Sequence, residues 1–362
     1  MKALLVPGYG GNPYLSELAR ALRAEGVDVR GIGGLGPAGW RDRVRLFSEH
    51  DVVHVHWTHG YLNARSRGAR IRKALALLAA VAAARARGTR FVWTVHNVFA
   101  HGNSDEAVER HFNRALVRLS SAAIVHCRAA ESEVAAAYGL GASARRKLNV
   151  IPHAHYADTY PRGVSRESAR KALGVTGAGT VFLHFGQIRA YKGIDALLDA
   201  FAALDEPGAR LIVAGKAKSG SYARRIEERA AGIDGVEVFL ETVPDDEVQT
   251  YMAAADAVVL PYERILTSGT TVLAMSFGRA VVTPDLGCAR EMLAQQEELL
   301  YDRRDPRGLE RALRRALDAD LDACGAANLG AARHAGWDTV GALTAAVYRC
   351  ASRKRPVVRP PR

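Results

Sequence analysis

The residues best suited to chemistry lie in FLHFGQIRAYKG (182–193), where an apolar run ends in Gly186 and the cations Arg189 and Lys192 precede a helical pattern. Strand, glycine turn, cation and helix start make a site for a phosphate or diphosphate. The glycine lets a ligand approach the backbone, the helix start offers free N–H groups, and Arg and Lys supply charge. Only eight of the 50 basic residues are Lys, and Lys192, Lys216 and Lys218 fall in consecutive loops after expected strands. A solvated helix start with a charged first turn would give the same local pattern. Ser268-Gly269-Thr270-Thr271, just before another helix, is a second candidate nest of hydroxyls and N–H groups for an anion. Gly269 is expected there either at positive φ or close against the ligand. A polar helix cap without a ligand is the alternative.

Histidines supply proton chemistry. His54 and His56 (DVVHVHW), His96 (TVHN) and His126 (IVHC) end expected strands. A histidine at a strand's carboxyl end faces a ligand crevice, with a pKa suited to proton work near neutrality. His96 is the candidate for the reacting centre; a histidine satisfied by its own loop is the alternative. His56 and Trp57 follow an adjacent strand and are expected to line the same crevice, together with Asn97 and His101. His153 and His155 sit in a linker and are read as structural or lining the crevice. No residue spacing indicates a metal site: there is no paired-aspartate motif, and Cys127, Cys288, Cys324 and Cys350 show no CxxC. Those cysteines read as thiols of a reducing compartment.

The elements that position these groups alternate strand and helix twice over, so the fold class is α/β, with two tandem Rossmann-like doubly wound domains facing a cleft. Residues 1–164 form an N-terminal Rossmann-like domain and residues 165–340 a C-terminal one. Residues 341–362 form a helix, able to return to the first domain, and a basic tail. Gly8-Tyr9-Gly10-Gly11-Asn12 follows the first strand but lacks a full GxGxxG and the acidic partner of a dinucleotide site, which disfavours a dehydrogenase. Gly10 and Gly11 then serve either a ligand from the opposite side of the cleft or only a tight turn.

A hydrophobic fraction of 48% with 24% charge describes a folded protein, and a net charge of +12 implies acidic partners. Arg is abundant throughout, and no zinc finger or RNP-type motif is present, so nucleic acid is not expected. No apolar run is long enough to span a bilayer. The helix near 65–87 carries an apolar stripe (Ile71, Leu75, Leu78, Ala82, with Leu77 and Val81 beside it) and basic residues at its start. It is either core-packed or laid on an anionic membrane. The localisation expected is cytoplasmic, with a peripheral position on the inner face of the membrane.

The segments FGQIRAYKG (185–193), AGK (214–216), VPDDEVQTYMAAADAVVLPY (243–262) and LAMSFGRAVVTPDLG (273–287), in this order and spacing, resemble glycosyltransferase family 4, the glycosyl transferases group 1. The resemblance runs over essentially the whole chain. It implies the GT-B fold, a nucleotide-sugar donor held by the C-terminal domain, a glycan or lipid-linked acceptor on the N-terminal side, and retaining transfer without an essential metal or other cofactor. Arg189, Lys192, Lys216, Gly186 and the 268–271 nest then bind the donor, and His96, with Asn97 behind it, matches the family's cleft histidine. Two departures stand out. Gln187 replaces the usual Arg after the phosphate-loop glycine. The paired carboxylates Glu-x7-Glu would fall at Ile265 and Leu273, leaving only Glu263, displaced by two positions, beside a TSG loop. A non-catalytic sugar-nucleotide-binding partner of another transferase and a sugar-nucleotide epimerase are the alternatives.

Overall fold

The computed structural model describes residues 1–7, 13–32, 39–100, 105–177 and 179–350. The chain forms two compact units: 1–154 together with 336–350, and 155–335. The first boundary falls earlier than expected. Ile151 still bonds along the first sheet (N–H to Val125 O, 2.9 Å), whereas Tyr156 N–H already donates to Ser276 Oγ of the second unit at 2.8 Å.

In the first unit β1 (Lys2–Val6), α1 (Pro13–Ala24), β2 (Asp28–Gly31), α2 (Trp40–Ser48) and β3 (Val52–Val55) come first. Then follow α3 (His59–Leu62), α4 (Arg67–Ala86), β4 (Arg90–Thr94), α5 (Glu106–Leu119), β5 (Ala122–Val125), α6 (Arg128–Ala137), α7 (Ala142–Arg145) and β6 (Leu148–Val150). All six strands are parallel, in the order β2-β1-β3-β4-β5-β6. VVHV of β3 and AAIV of β5 are buried throughout, as strands covered by helices on both faces must be. Ser66 and Asp105 cap α4 and α5 through their side-chain oxygens.

The second unit runs α8 (Arg166–Ala172), β7 (Val181–Phe185), α9 (Ile194–Ala202), β8 (Arg210–Ala214), α10 (Gly220–Ala230), β9 (Val236–Phe239) and α11 (Val248–Ala254). It continues with β10 (Ala257–Val259), α12 (Gly269–Ser276), β11 (Ala280–Pro284), α13 (Ala289–Met292), β12 (Leu300–Tyr301), α14 (Gly308–Asp318) and α15 (Leu321–Arg333). Its parallel sheet has the order β12-β11-β10-β7-β8-β9, so the strand order reverses between β7 and β10. Ligands bind at the carboxyl ends of strands flanking such a reversal. Ser165 caps α8 by accepting from Ser168 N–H, as its sequence suggested.

The last helix, α16 (Trp337–Cys350), belongs to the first unit, and the expected boundary at 340/341 lies inside it. It packs on α1 so closely that a Cβ on Gly341 would come within 2.6 Å of the Ala21 methyl. Its Tyr348 hydroxyl meets His54 Nδ1 at 2.7 Å, and Arg90 donates to Tyr348 O at 3.0 Å.

Cys324 and Cys350 are free thiols. Cys127 and Cys288 are not, which corrects that part of the reading; spacing along the sequence says nothing of sulfur chemistry in the fold. No helix among the described residues is long and apolar enough to cross a membrane.

Candidate functional site

In the second unit the expected donor residues surround the strand reversal. β7 runs into Gly186, whose φ of +112° is open to glycine and strained for other residues. A Cβ there would sit 3.4 Å from Thr270 Oγ1 and 4.0 Å from Lys192 Nζ, so a hydroxyl and an ammonium converge on the glycine backbone. Lys192 ends a single 3-10 turn (Ala190–Lys192) and is 8% exposed. Its Nζ donates to the Tyr262 hydroxyl at 3.4 Å and lies 4.7 Å from that ring's centre. No carboxylate among the described residues pairs with it. A buried ammonium without a counter-ion is costly unless an anion arrives.

Tyr262 closes β10. Its hydroxyl meets Ser268 Oγ at 2.8 Å, and Ser268 Oγ accepts from Thr271 N–H at 3.0 Å. Ser268 is therefore the N-cap of α12, and its oxygen is engaged inside the unit. Thr271 is buried, Thr270 half-buried and Gly269 exposed. Gly269 departs from expectation: its φ is not in the left-handed region, and a Cβ would meet only the Tyr156 hydroxyl at 3.9 Å. First-turn helical geometry suits any residue there.

Arg189 is half-buried, and its Nε is out of solvent with no hydrogen-bond acceptor. Such an orphaned donor is rare in a folded interior. Lys216 is exposed. Its carbonyl accepts from Ile188 N–H at 2.9 Å, and Lys218 N–H returns to Ile188 O at 3.2 Å, which joins the loops after β7 and β8. Glu263 is exposed and tied by its N–H to Tyr191 O at 3.0 Å. At the two positions where carboxylates would be expected, Ile265 is half-buried and Leu273 is buried in α12.

His184, within β7, escaped the sequence reading because a histidine inside an apolar strand looks like core. Its Nδ1 lies 3.0 Å from Val259 O and its Nε2 is buried without a partner. Burial, and then the nearby Lys192 charge, lower its pKa to about 3.

In the first unit the strand-end histidines gather around Tyr14 and Trp57. His56 Nδ1 and His96 Nε2 are 3.2 Å apart, and Trp57 stacks on His96 at 4.5 Å and 15°. Tyr14 of α1 is the hub that sequence gave no sign of, since a tyrosine on an amphipathic helix reads as packing. Its ring lies 5.1 Å from His96, 5.7 Å from His56, 6.0 Å from His126 and 4.9 Å from His153. Burial holds His56 well below the usual imidazole range, His126 at about 4, and His54 and His153 at about 3. His56, Trp57, His96 and Asn97 line a cavity of about 20 Å³ with Glu109 and Asn113, room for one water. His155 belongs to the second unit. Gly10, Gly11 and His101 lie outside the described residues. Among the described residues no three His, Cys, Asp or Glu side chains are arranged to hold a metal.

Residues 179–319 match the glycosyl transferases group 1 family. A GDP-mannose:glycolipid 4-beta-D-mannosyltransferase of Xanthomonas campestris pv. campestris is 27% identical over 284 residues, 77% of this chain and 71% of that protein. A D-inositol 3-phosphate glycosyltransferase of Geodermatophilus obscurus is 32% identical over 222 residues, 57% of this chain and 48% of its own length. Among solved structures, Anabaena HepE in complex with UDP and glucose superposes with a TM-score of 0.72 at 19% identity, over 95% of this chain and 98% of that one. Sucrose-phosphate synthase from Thermosynechococcus elongatus also gives 0.72, at 18% identity, over 96% of this chain and 98% of that one.

Proposed function

We propose that this chain, whose residues 179–319 match the glycosyl transferases group 1 family, is a glycosyltransferase of GT-B fold that moves a hexosyl group from a nucleotide sugar to a lipid-linked glycan, with retention and without metal. The observation that carries this reading is the buried, unpaired ammonium of Lys192 converging with Thr270 Oγ1 on Gly186 at the strand reversal. Departure of a nucleoside diphosphate develops negative charge, and fixed cations there stabilise it as a metal would. Arg189, with its orphaned Nε, and Lys216 complete the positive set. The N-terminal turn of α12 adds N–H groups and the Thr270 hydroxyl. Glu263, held beside Tyr191, is the carboxylate assigned to the donor's ribose or sugar hydroxyls.

His96, Asn97, His56 and Trp57 form the acceptor side in the first unit. The glycolipid mannosyltransferase relative supports a lipid-linked acceptor, and so does the surface of the first unit. Trp40, Ile71 and Leu75 are the exposed large apolar side chains among the described residues, on helices α2 and α4, which pack together. Arg41, Arg43 and Arg45 accompany Trp40, and Arg70, Arg72 and Lys73 accompany Ile71. Leu77 and Val81 turn into the core instead, so the expected stripe is split between two faces of α4. Apolar anchors among cations suit the headgroup layer of an anionic membrane.

Incubation with isotopically labelled UDP-, GDP- and TDP-sugars and a glycolipid acceptor tests the assignment. A labelled glycolipid is expected. Donor binding without turnover would instead favour the non-catalytic partner, for which the apolar Ile265 and Leu273 speak. Stereochemical change within the donor would mark an epimerase.

A further inference from the structure

We infer that Tyr262 is a positioning residue: its hydroxyl and ring face hold the Lys192 ammonium at the strand reversal without cancelling its charge, which leaves that charge to an anionic ligand. That the ligand is a nucleoside diphosphate rests on the function proposed above; the hold on Lys192 does not.

A lysine alone is a poor fixed charge. Its ammonium rides on a flexible stem and keeps its place only where the protein restrains it. A carboxylate is the ordinary restraint, but it also neutralises the charge. Lys192 is 8% exposed and has no such partner among the described residues; its hydrogen bond goes to the Tyr262 hydroxyl.

The backbone sets the two residues opposite each other. Glu263 N–H donates to Tyr191 O at 3.0 Å, and a Cβ on Gly193 would lie 2.0 Å from Pro261 O. Both chain neighbours of Lys192 are thus pressed against both chain neighbours of Tyr262, which permits one register. Tyr262 itself is 1% exposed, so its ring is held by the core.

The hydroxyl is anchored in turn. Lys192 Nζ–H and Thr271 N–H can only donate, the first to Tyr262 and the second to Ser268 Oγ at 3.0 Å. Between Tyr262 and Ser268, 2.8 Å apart, either hydroxyl could supply the hydrogen. If Ser268 did, the tyrosine hydrogen would be stranded in the interior, whereas Ser268 is the less enclosed of the two. Tyr262 therefore donates to Ser268 and turns a lone pair to the ammonium. Its ring face attracts the same cation at 4.7 Å, and the Tyr191 ring stands at 6.0 Å. Neither ring carries a charge. His184 nearby carries none near neutrality, since burial lowers its pKa to about 3. One phenol thus ties the ammonium to the N-cap of α12, and two features that attract anions keep a fixed separation.

Tyr262→Phe keeps the buried ring and removes only the hydroxyl. In calorimetric titrations UDP and GDP should bind this variant about threefold to tenfold more weakly, the worth of one hydrogen bond. The decisive measurement is the same substitution in a Lys192→Met background, where it should change neither affinity, because Tyr262 acts through the ammonium. Ammonium 1H–15N spectra of lysine-labelled protein report the hold without any ligand. The chain has eight lysines, and the Lys192 signal is the one missing from Lys192→Arg. It should exchange slowly with water, and Tyr262→Phe should speed that exchange about fivefold. An affinity loss of equal size in both backgrounds would make Tyr262 merely structural and overturn the inference, as would Lys192 exchange indifferent to Tyr262→Phe. If neither UDP nor GDP binds the unmodified protein, the transferase reading fails, and the exchange rates alone decide the role of Tyr262.

Discussion

The Lys192 ammonium stands 4.7 Å above the centre of the Tyr262 ring and donates to the hydroxyl of that same tyrosine at 3.4 Å. The ring's π-face partly offsets the charge, but no anion among the described side chains does. Lys192→Ala should therefore weaken nucleoside-diphosphate binding by about 1.5–3 kcal/mol, the worth of a charged hydrogen bond, while the unliganded protein loses little stability. Calorimetric titration of UDP and GDP checks it; unchanged affinity for both would remove Lys192 from the site.

Two glycines near the same site should behave oppositely. Gly193 has φ +73°, and a Cβ there would lie 2.0 Å from Pro261 O, so Gly193→Ala should cost well over about 1 kcal/mol of stability. Gly269 has no such constraint, and Gly269→Ala should leave the melting temperature of the unliganded protein within a degree or two or raise it, since Ala is the better helix former. Scanning calorimetry of both variants separates the cases.

Acid should loosen the first unit. His54, His56, His126 and His153 have folded-state pKa values below the ordinary 6.5, so between pH 6.5 and about 4 the unfolded chain binds protons that the folded unit refuses. Stability then falls as pH falls, by about 1.4 kcal/mol per pH unit for each proton taken up, and is flat with respect to these groups above pH 7.5. All four tryptophans, Trp40, Trp57, Trp93 and Trp337, lie in this unit, so urea titrations followed by tryptophan fluorescence report it selectively. A midpoint that stays constant from pH 7 to pH 5 would contradict the buried neutral imidazoles.

If cations alone meet the leaving diphosphate, turnover should survive excess EDTA, and the product should keep the donor's anomeric configuration. Activity lost to chelation and regained with Mg²⁺ or Mn²⁺ would mean that charge in the donor site is supplied differently. Proton NMR of the product during the first turnovers reads the configuration directly.

Membrane contact should depend on both the anchors and the charge. Leu75→Glu and Trp40→Ala should each reduce sedimentation with phosphatidylglycerol vesicles, and salt should weaken binding further, by screening within about 8–10 Å. Neutral vesicles bound equally well would argue against the basic face.

Much of this architecture was legible in sequence because buried parallel strands write themselves as short β-branched runs, as in DVVHVH and FVWTVH. The turn proposed to hold phosphate was legible because Gly186, Arg189 and Lys192 are close neighbours in sequence. Helix α2 was missed: WRDRVRLFS buries only Val44 and Phe47, and four charges hide that short apolar seam. Strand β12, at two residues, is too short to have a period. Tyr262, Tyr14 and His184 were not assigned roles because each acts through a partner distant in sequence. The geometry of Gly269 was misread for a related reason: a glycine at a helix start is equally compatible with ordinary helical backbone.

The return of α16 to the first sheet has a consequence for how the polypeptide is made. Tyr348, which satisfies His54, leaves the ribosome 294 residues after it, and by then every residue of the 155–335 unit has already emerged. The contiguous second unit can close while synthesis continues. The first sheet must wait with an interior imidazole short of its partner and with the face of α1 at Ala21 uncovered. Vectorial synthesis thus makes the half with the histidine cluster the last to be completed, and the half a nascent-chain chaperone has most reason to hold.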